Sequence, residues 1–102
     1  MTDLLPAEVA ATLPALYSQD GQGYQAIARA KWFAPGTGWT WYATEYDGAD
    51  LFFGLVIGLE AELGYFTLSE LQAARGPLGL PIERDLHFRP ATLAELRDQH
   101  GR

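Results

Sequence analysis

Apolar and polar positions recur along the chain with different periods, and each period predicts a different element. Leu5, Val9, Leu13, Leu16 and Tyr17 follow one another at spacings of four, four, three and one, a single helical stripe that begins near Pro6. Pro14 disfavours helical geometry at the residue before it, so the regular helix should stop near Leu13, with a loop from Ser18 to Gly23. From Tyr24 to Phe33 the period shortens to that of a strand, with Arg29 and Lys31 on one face and Ala26, Ala28, Ala30 and Trp32 on the other. After the turn residues Ala34 to Gly38, the run Trp39 to Tyr46 is rich in aromatic residues and threonine, which favours a second strand. Asp47 and Gly48 mark a reversal. Leu51 to Leu59 is apolar at nearly every position, as in a central strand covered on both faces, with Gly54 and Gly58 marking bulges or close contacts. Leu63 to Phe66 supplies a fourth strand after a turn at Ala61.

Two capping boxes punctuate the rest of the chain. Thr67 with Glu70 predicts a helix from Leu68 to about Arg75, and Thr92 with Glu95 predicts a last helix to about His100, with Gly101 beyond its end. Between them, Gly76 to Pro81 ends the first of these helices, and Ile82 to Phe88 alternates as a fifth strand. The order predicts an α+β fold: a single domain over 1–102, with an antiparallel meander sheet of four to five strands covered by two to three helices.

Composition narrows the chemistry. With 102 residues, 48% of them hydrophobic, the chain is long enough for one core, and its aromatic content argues against disorder. The absence of cysteine removes disulfides, thiolate nucleophiles and cysteine-ligated zinc. The net charge of -6 disfavours direct binding to nucleic acid or to an anionic membrane. No basic region precedes an apolar stretch at the N-terminus, and the longest apolar run has nine residues, about half of the ~20 that a membrane helix needs. A cytoplasmic protein is the expectation. No dinucleotide loop, phosphate-loop lysine or metalloprotease histidine pair is present, and the only serines are Ser18 and Ser69, so no cofactor is expected and catalysis would rest on carboxylates and His87.

Three groups of residues stand out as candidates. Glu83, Asp85 and His87 have the spacing that projects oxygen and nitrogen ligands from one strand face, which could hold a divalent cation; the plainer alternative is a solvated face. In Trp39, Thr40, Trp41 and Tyr42 alternation puts both indoles on one face, while Tyr42 and Tyr46 share the other. Large aromatics on both faces make one of them a candidate recognition surface; the alternative, sheet core beneath the helices, suits the indoles better than the tyrosines. Charge is also segregated. No lysine or arginine lies between Trp32 and Ala74, whereas Glu45, Asp47, Asp50, Glu60, Glu62 and Glu70 all do. Glu45, Asp47 and Asp50 at one predicted turn form an acidic edge that would attract a basic protein surface, or else a solvated rim.

Trp39-Thr40-Trp41-Tyr42 with Thr44-Glu45, then Phe52-Phe53-Gly54, Gly64-Tyr65-Phe66, Leu68-Ser69-Glu70-Leu71 and Arg75-Gly76-Pro77-Leu78-Gly79-Leu80-Pro81-Ile82-Glu83-Arg84-Asp85, together resemble the small bacterial family called domain of unknown function 2958. The resemblance covers nearly the whole chain. It implies a setting on plasmids and other mobile elements, whose genes often encode anti-defence or transfer accessory proteins, and it implies no activity, cofactor or catalytic residue. The functional expectation is therefore a non-enzymatic acidic module that binds a protein with a basic surface. The alternative is a divalent-metal-dependent hydrolase or nuclease built on Glu83, Asp85 and His87. Unpaired sheet edges allow a monomer or a dimer.

Overall fold

The computed structural model describes residues 3–101. Its centre is a five-stranded antiparallel sheet in the order β5-β4-β3-β2-β6, formed by β2 (Ala30–Phe33), β3 (Thr40–Tyr46), β4 (Leu51–Ile57), β5 (Ala61–Thr67) and β6 (Glu83–Arg84). A second, two-stranded sheet pairs β1 (Ile27–Ala28) with β7 (Ala91–Thr92). Three α-helices complete the fold: α1 (Ala7–Ala10), α2 (Leu68–Ala73) and α3 (Leu93–His100). The α+β class and the meander from β2 to β5 are as the sequence predicts.

Helices lie on both faces of the large sheet, so β4 is covered on both sides, as its unbroken apolar run requires. On the α2 face, Trp32, Ala43, Phe52 and Phe66 meet Leu71 of α2, Ile82 and the N-terminal leucines. The Trp32 indole N–H, buried there, donates to the Leu4 carbonyl at 2.8 Å. On the α3 face, Tyr42, Leu55 and Ile57 meet Leu93 and Leu96. An eight-residue helix is marginal by itself, and two buried leucines worth roughly 1.5–3 kcal/mol each hold α3 to the sheet. Both threonine caps form as expected: the Glu70 N–H donates to Thr67 Oγ1 at 3.1 Å, and the Glu95 N–H to Thr92 Oγ1 at 3.2 Å.

Four expectations are corrected. The first helix is a single turn, because the Thr12 and Leu13 N–H groups bond three residues back, to Val9 and Ala10, and tighten the chain before Pro14. The strand expected over Tyr24 to Phe33 divides at Arg29: a 3₁₀ turn occupies Gly23–Gln25, and β1 leaves the large sheet to pair with β7. The strand expected from Ile82 to Phe88 shrinks to Glu83–Arg84, because the chain turns at Asp85, whose carboxylate accepts the His87 N–H at 2.9 Å. Finally, the register between β3 and β4 shifts between Ala43 and Glu45, a β-bulge that leaves Thr44 without an opposite residue. Beyond it the alternation inverts, so Tyr46 stacks on Phe52 on the α2 face while Tyr42 points to the α3 face.

Candidate functional site

Cross-strand register builds the site. Trp41 lies opposite Val56, and Val56 opposite Glu62, so the three form one row on the α2 face. The next row outward is closed by backbone bonds: the Ala34 N–H donates to the Trp39 carbonyl, and the Gly58 N–H to the Glu60 carbonyl, each at 3.0 Å. Trp39 and Trp41, two residues apart on one strand, stack with ring centroids 6.1 Å apart and planes at 28°. Gly58 makes this arrangement feasible, since a Cβ there would come within 2.4 Å of the Trp39 ring.

Trp39, Gly58 and Leu59 are shared by two adjoining hollows, and Trp41 lines only the second. One, of about 380 Å³, is lined by Trp39, Val56, Gly58, Leu59, Glu60 and Glu62. The other, of about 500 Å³, runs from Trp39 and Trp41 to Ala74, Arg75, Pro77 and Ile82. Its far wall is the loop after α2, which folds into a rigid turn. The Gly79 N–H donates to the Gly76 carbonyl across Pro77 and Leu78, with Gly79 at φ +75°, and Arg75 bridges to Pro81. Apolar side chains stand out around this groove, with Leu59 97% exposed, Leu78 80% and Trp39 43%.

The residues singled out in the sequence therefore disperse. Trp39 and Trp41, candidates for a recognition surface with sheet core as the alternative, stack at the groove, with Trp39 exposed and Trp41 half-buried against the core. Tyr42 is 1% exposed and belongs to the core, and Tyr46 is half-buried against Phe52, so neither tyrosine joins the indoles in one aromatic surface. Glu45 is only 2% exposed: Tyr17 N–H donates to its Oε1 at 2.9 Å and Gln19 N–H to its Oε2 at 2.7 Å. Tyr17 adopts φ +69° in the loop that this carboxylate ties down. Asp47 Oδ1 accepts the N–H groups of Ala49, Asp50 and Leu51, and those bonds hold its carboxyl below the usual 3.8. Asp50 receives the Ser69 N–H at 2.8 Å and the Ser69 hydroxyl at 2.7 Å, fastening the start of α2 to the β3–β4 turn. The expected acidic edge is thus spent on capping backbone, and it lies at the opposite end of β3 from the indoles. The acids that the fold brings to the indoles are Glu60 and Glu62, which the sequence shows only as members of a charge run. The one local signal for this end was an apolar residue, Leu59, between Gly58 and Glu60 at a hairpin tip, where a side chain has no core to enter.

Glu83, Asp85 and His87 line a shallow cleft of about 240 Å³. They do not converge on one point; among the described residues no group of three His, Asp or Glu could hold a metal ion. Asp85 instead pairs with Lys31 at 3.4 Å, beside a contact that no local pattern announces: Tyr42 Oη and His100 Nε2, 58 residues apart in sequence, lie 2.7 Å from each other. Burial, aided by Asp85, pushes the Tyr42 phenol up to about 12, while burial and then Lys31 push the His100 imidazole below its usual 6.5. Both trends favour neutral partners, which makes the pair a latch between β3 and the last turn of α3. No helix among the described residues is long and apolar enough to cross a membrane.

Comparison with curated proteins and with solved structures finds no match. Residues 4–97 match the family described as protein of unknown function (DUF2958), and the chain belongs to that family.

Proposed function

We propose that this family member is a non-enzymatic, acidic protein-binding module that docks a basic segment of a partner protein along the groove of Trp39 and Trp41. The observation that carries the reading is the exposure of Trp39, stacked on the half-buried Trp41, and of Leu59 beside a preformed hollow, because large apolar groups displayed together on a small domain mark interaction surfaces, and tryptophan is prominent among interface anchors. The partner's character follows from charge: the chain carries -6, Glu60 and Glu62 line the hollow on one side of Trp39, and Arg75, the cation in the lining of the other, donates to the Gln72 and Ala74 carbonyls. In the mobile-element setting that the family resemblance implies, such a module would act as an accessory or anti-defence protein by occupying the basic surface of a nucleic-acid complex.

Selection from a displayed library of random peptides, with Trp39→Ala as the counter-target, tests this. Enrichment of peptides that combine lysine or arginine with an apolar residue, and that Trp39→Ala fails to retain, is the expected result. A library that yields no peptide dependent on Trp39 overturns the reading.

A further inference from the structure

We infer that the hollow between the Trp39 ring and the two glutamates receives a cationic side chain, arginine or lysine, of the docked partner. This rests on the docking reading and specifies its chemistry. Val56 lies between Trp41 and Glu62 in register, and the Trp39 ring lies over Gly58, so the hollow is bounded by the Trp39 ring, Val56 and Leu59 on one side and by the Glu60 and Glu62 side chains on the other. The hollow between them has a volume of about 380 Å³, enough for one lysine or arginine side chain. The aromatic wall offers a π-face to a cation. The opposite wall offers two carboxylates, Glu60 in the hairpin turn and Glu62 on β5. The single ion pair among the described residues is Lys31–Asp85, so neither Glu60 nor Glu62 is neutralised within this part of the chain. The hollow's lining is otherwise apolar, which suits the methylene stem of lysine or arginine as well as its charge. Arginine adds a planar group that stacks on an indole and forks onto carboxylates.

The test uses the three indole N–H signals of nitrogen-labelled protein, assigned with Trp39→Phe and Trp41→Phe. The Trp32 N–H, bonded to Leu4 in the core, serves as internal reference for an intact fold. The probes are an arginine-containing tripeptide amide and its citrulline counterpart, which has nearly the same shape without the charge. Arginine should shift the Trp39 and Trp41 signals saturably and leave Trp32 in place, with citrulline weaker by about tenfold or more. Glu60→Gln with Glu62→Gln should weaken arginine by about tenfold at low salt and bring it close to citrulline. Gly58→Ala, which displaces the Trp39 ring, should also weaken it. Equal responses to arginine and citrulline, or no saturable shift, overturn the inference. The two readings fail separately: Trp39-dependent peptides that carry no basic residue end the cation site and leave docking intact, whereas arginine binding without any retained peptide does the reverse.

Discussion

At Glu45 a charge that reads as part of an acidic surface is consumed by backbone. Its two oxygens satisfy the Tyr17 and Gln19 N–H groups while the side chain is almost wholly covered. Glu45→Ala removes both acceptors, so stability should fall by about 2–3 kcal/mol in urea denaturation. A loss below about 0.5 kcal/mol would mean that water replaces the carboxylate. The same geometry makes Glu45→Lys unsuitable as a probe of binding, because it would disturb the fold before any partner is lost. Glu60 and Glu62, at the hairpin end and on an edge strand, can be neutralised without that complication.

The strands show the same principle at the scale of elements, where register decides what a residue means. Gly54 sits opposite Ala43, where β3 approaches so closely that a Cβ would lie 1.8 Å from the Tyr42 carbonyl oxygen. Backbone cannot move aside as a side chain can, so Gly54→Ala should force β3 and β4 apart and yield little folded protein, whereas Gly64→Ala, with nothing within 4 Å of its Cβ position, should retain the native circular dichroism spectrum. Equal yields of both would show that the strands accommodate the methyl group. Next to Gly54 the bulge at Thr44 separates the two tyrosines that strict alternation puts together, and Thr44 is held there by its hydroxyl, which donates to the Phe53 carbonyl at 3.1 Å. A single unpaired residue thus sends Tyr46 to one core and Tyr42 to the other.

For the molecule as a whole, β3 joins two half-cores on opposite faces of the sheet, and the Tyr42–His100 contact closes the α3 side. The folded imidazole has a depressed pKa, so the unfolded chain binds its proton more readily. The stability contribution of His100 is therefore complete above the unfolded value of 6.5 and is lost as pH falls below it toward the folded value. The melting temperature should drop between pH 7.5 and 5.5 by more in the wild type than in His100→Gln, with the other titrating groups common to both. Parallel pH profiles would show that the latch tolerates a charged ring. The groove lies on the opposite face, so its binding should not follow this titration.

Local chemistry carried most of the elements: an aromatic and threonine-rich run and an unbroken apolar run marked β3 and β4, threonine with glutamate three residues later marked both longer helices, and Gly54 and Gly58 marked bulges or close contacts, of which the fold realises the contacts. These features depend on a few neighbouring residues, so they are legible in one dimension. Site membership was not. Which carboxylates remain free depends on which loop N–H groups need an acceptor, and which acids face the indoles depends on how β3, β4 and β5 align. Neither the bulge at Thr44 nor the turn at Asp85 has a strong local mark, because each results from competition among pairings distant in sequence. The two neighbouring tryptophans divide for the same reason: Trp41 packs partly against the core that α2 covers, while Trp39, two residues nearer the strand end, is left exposed.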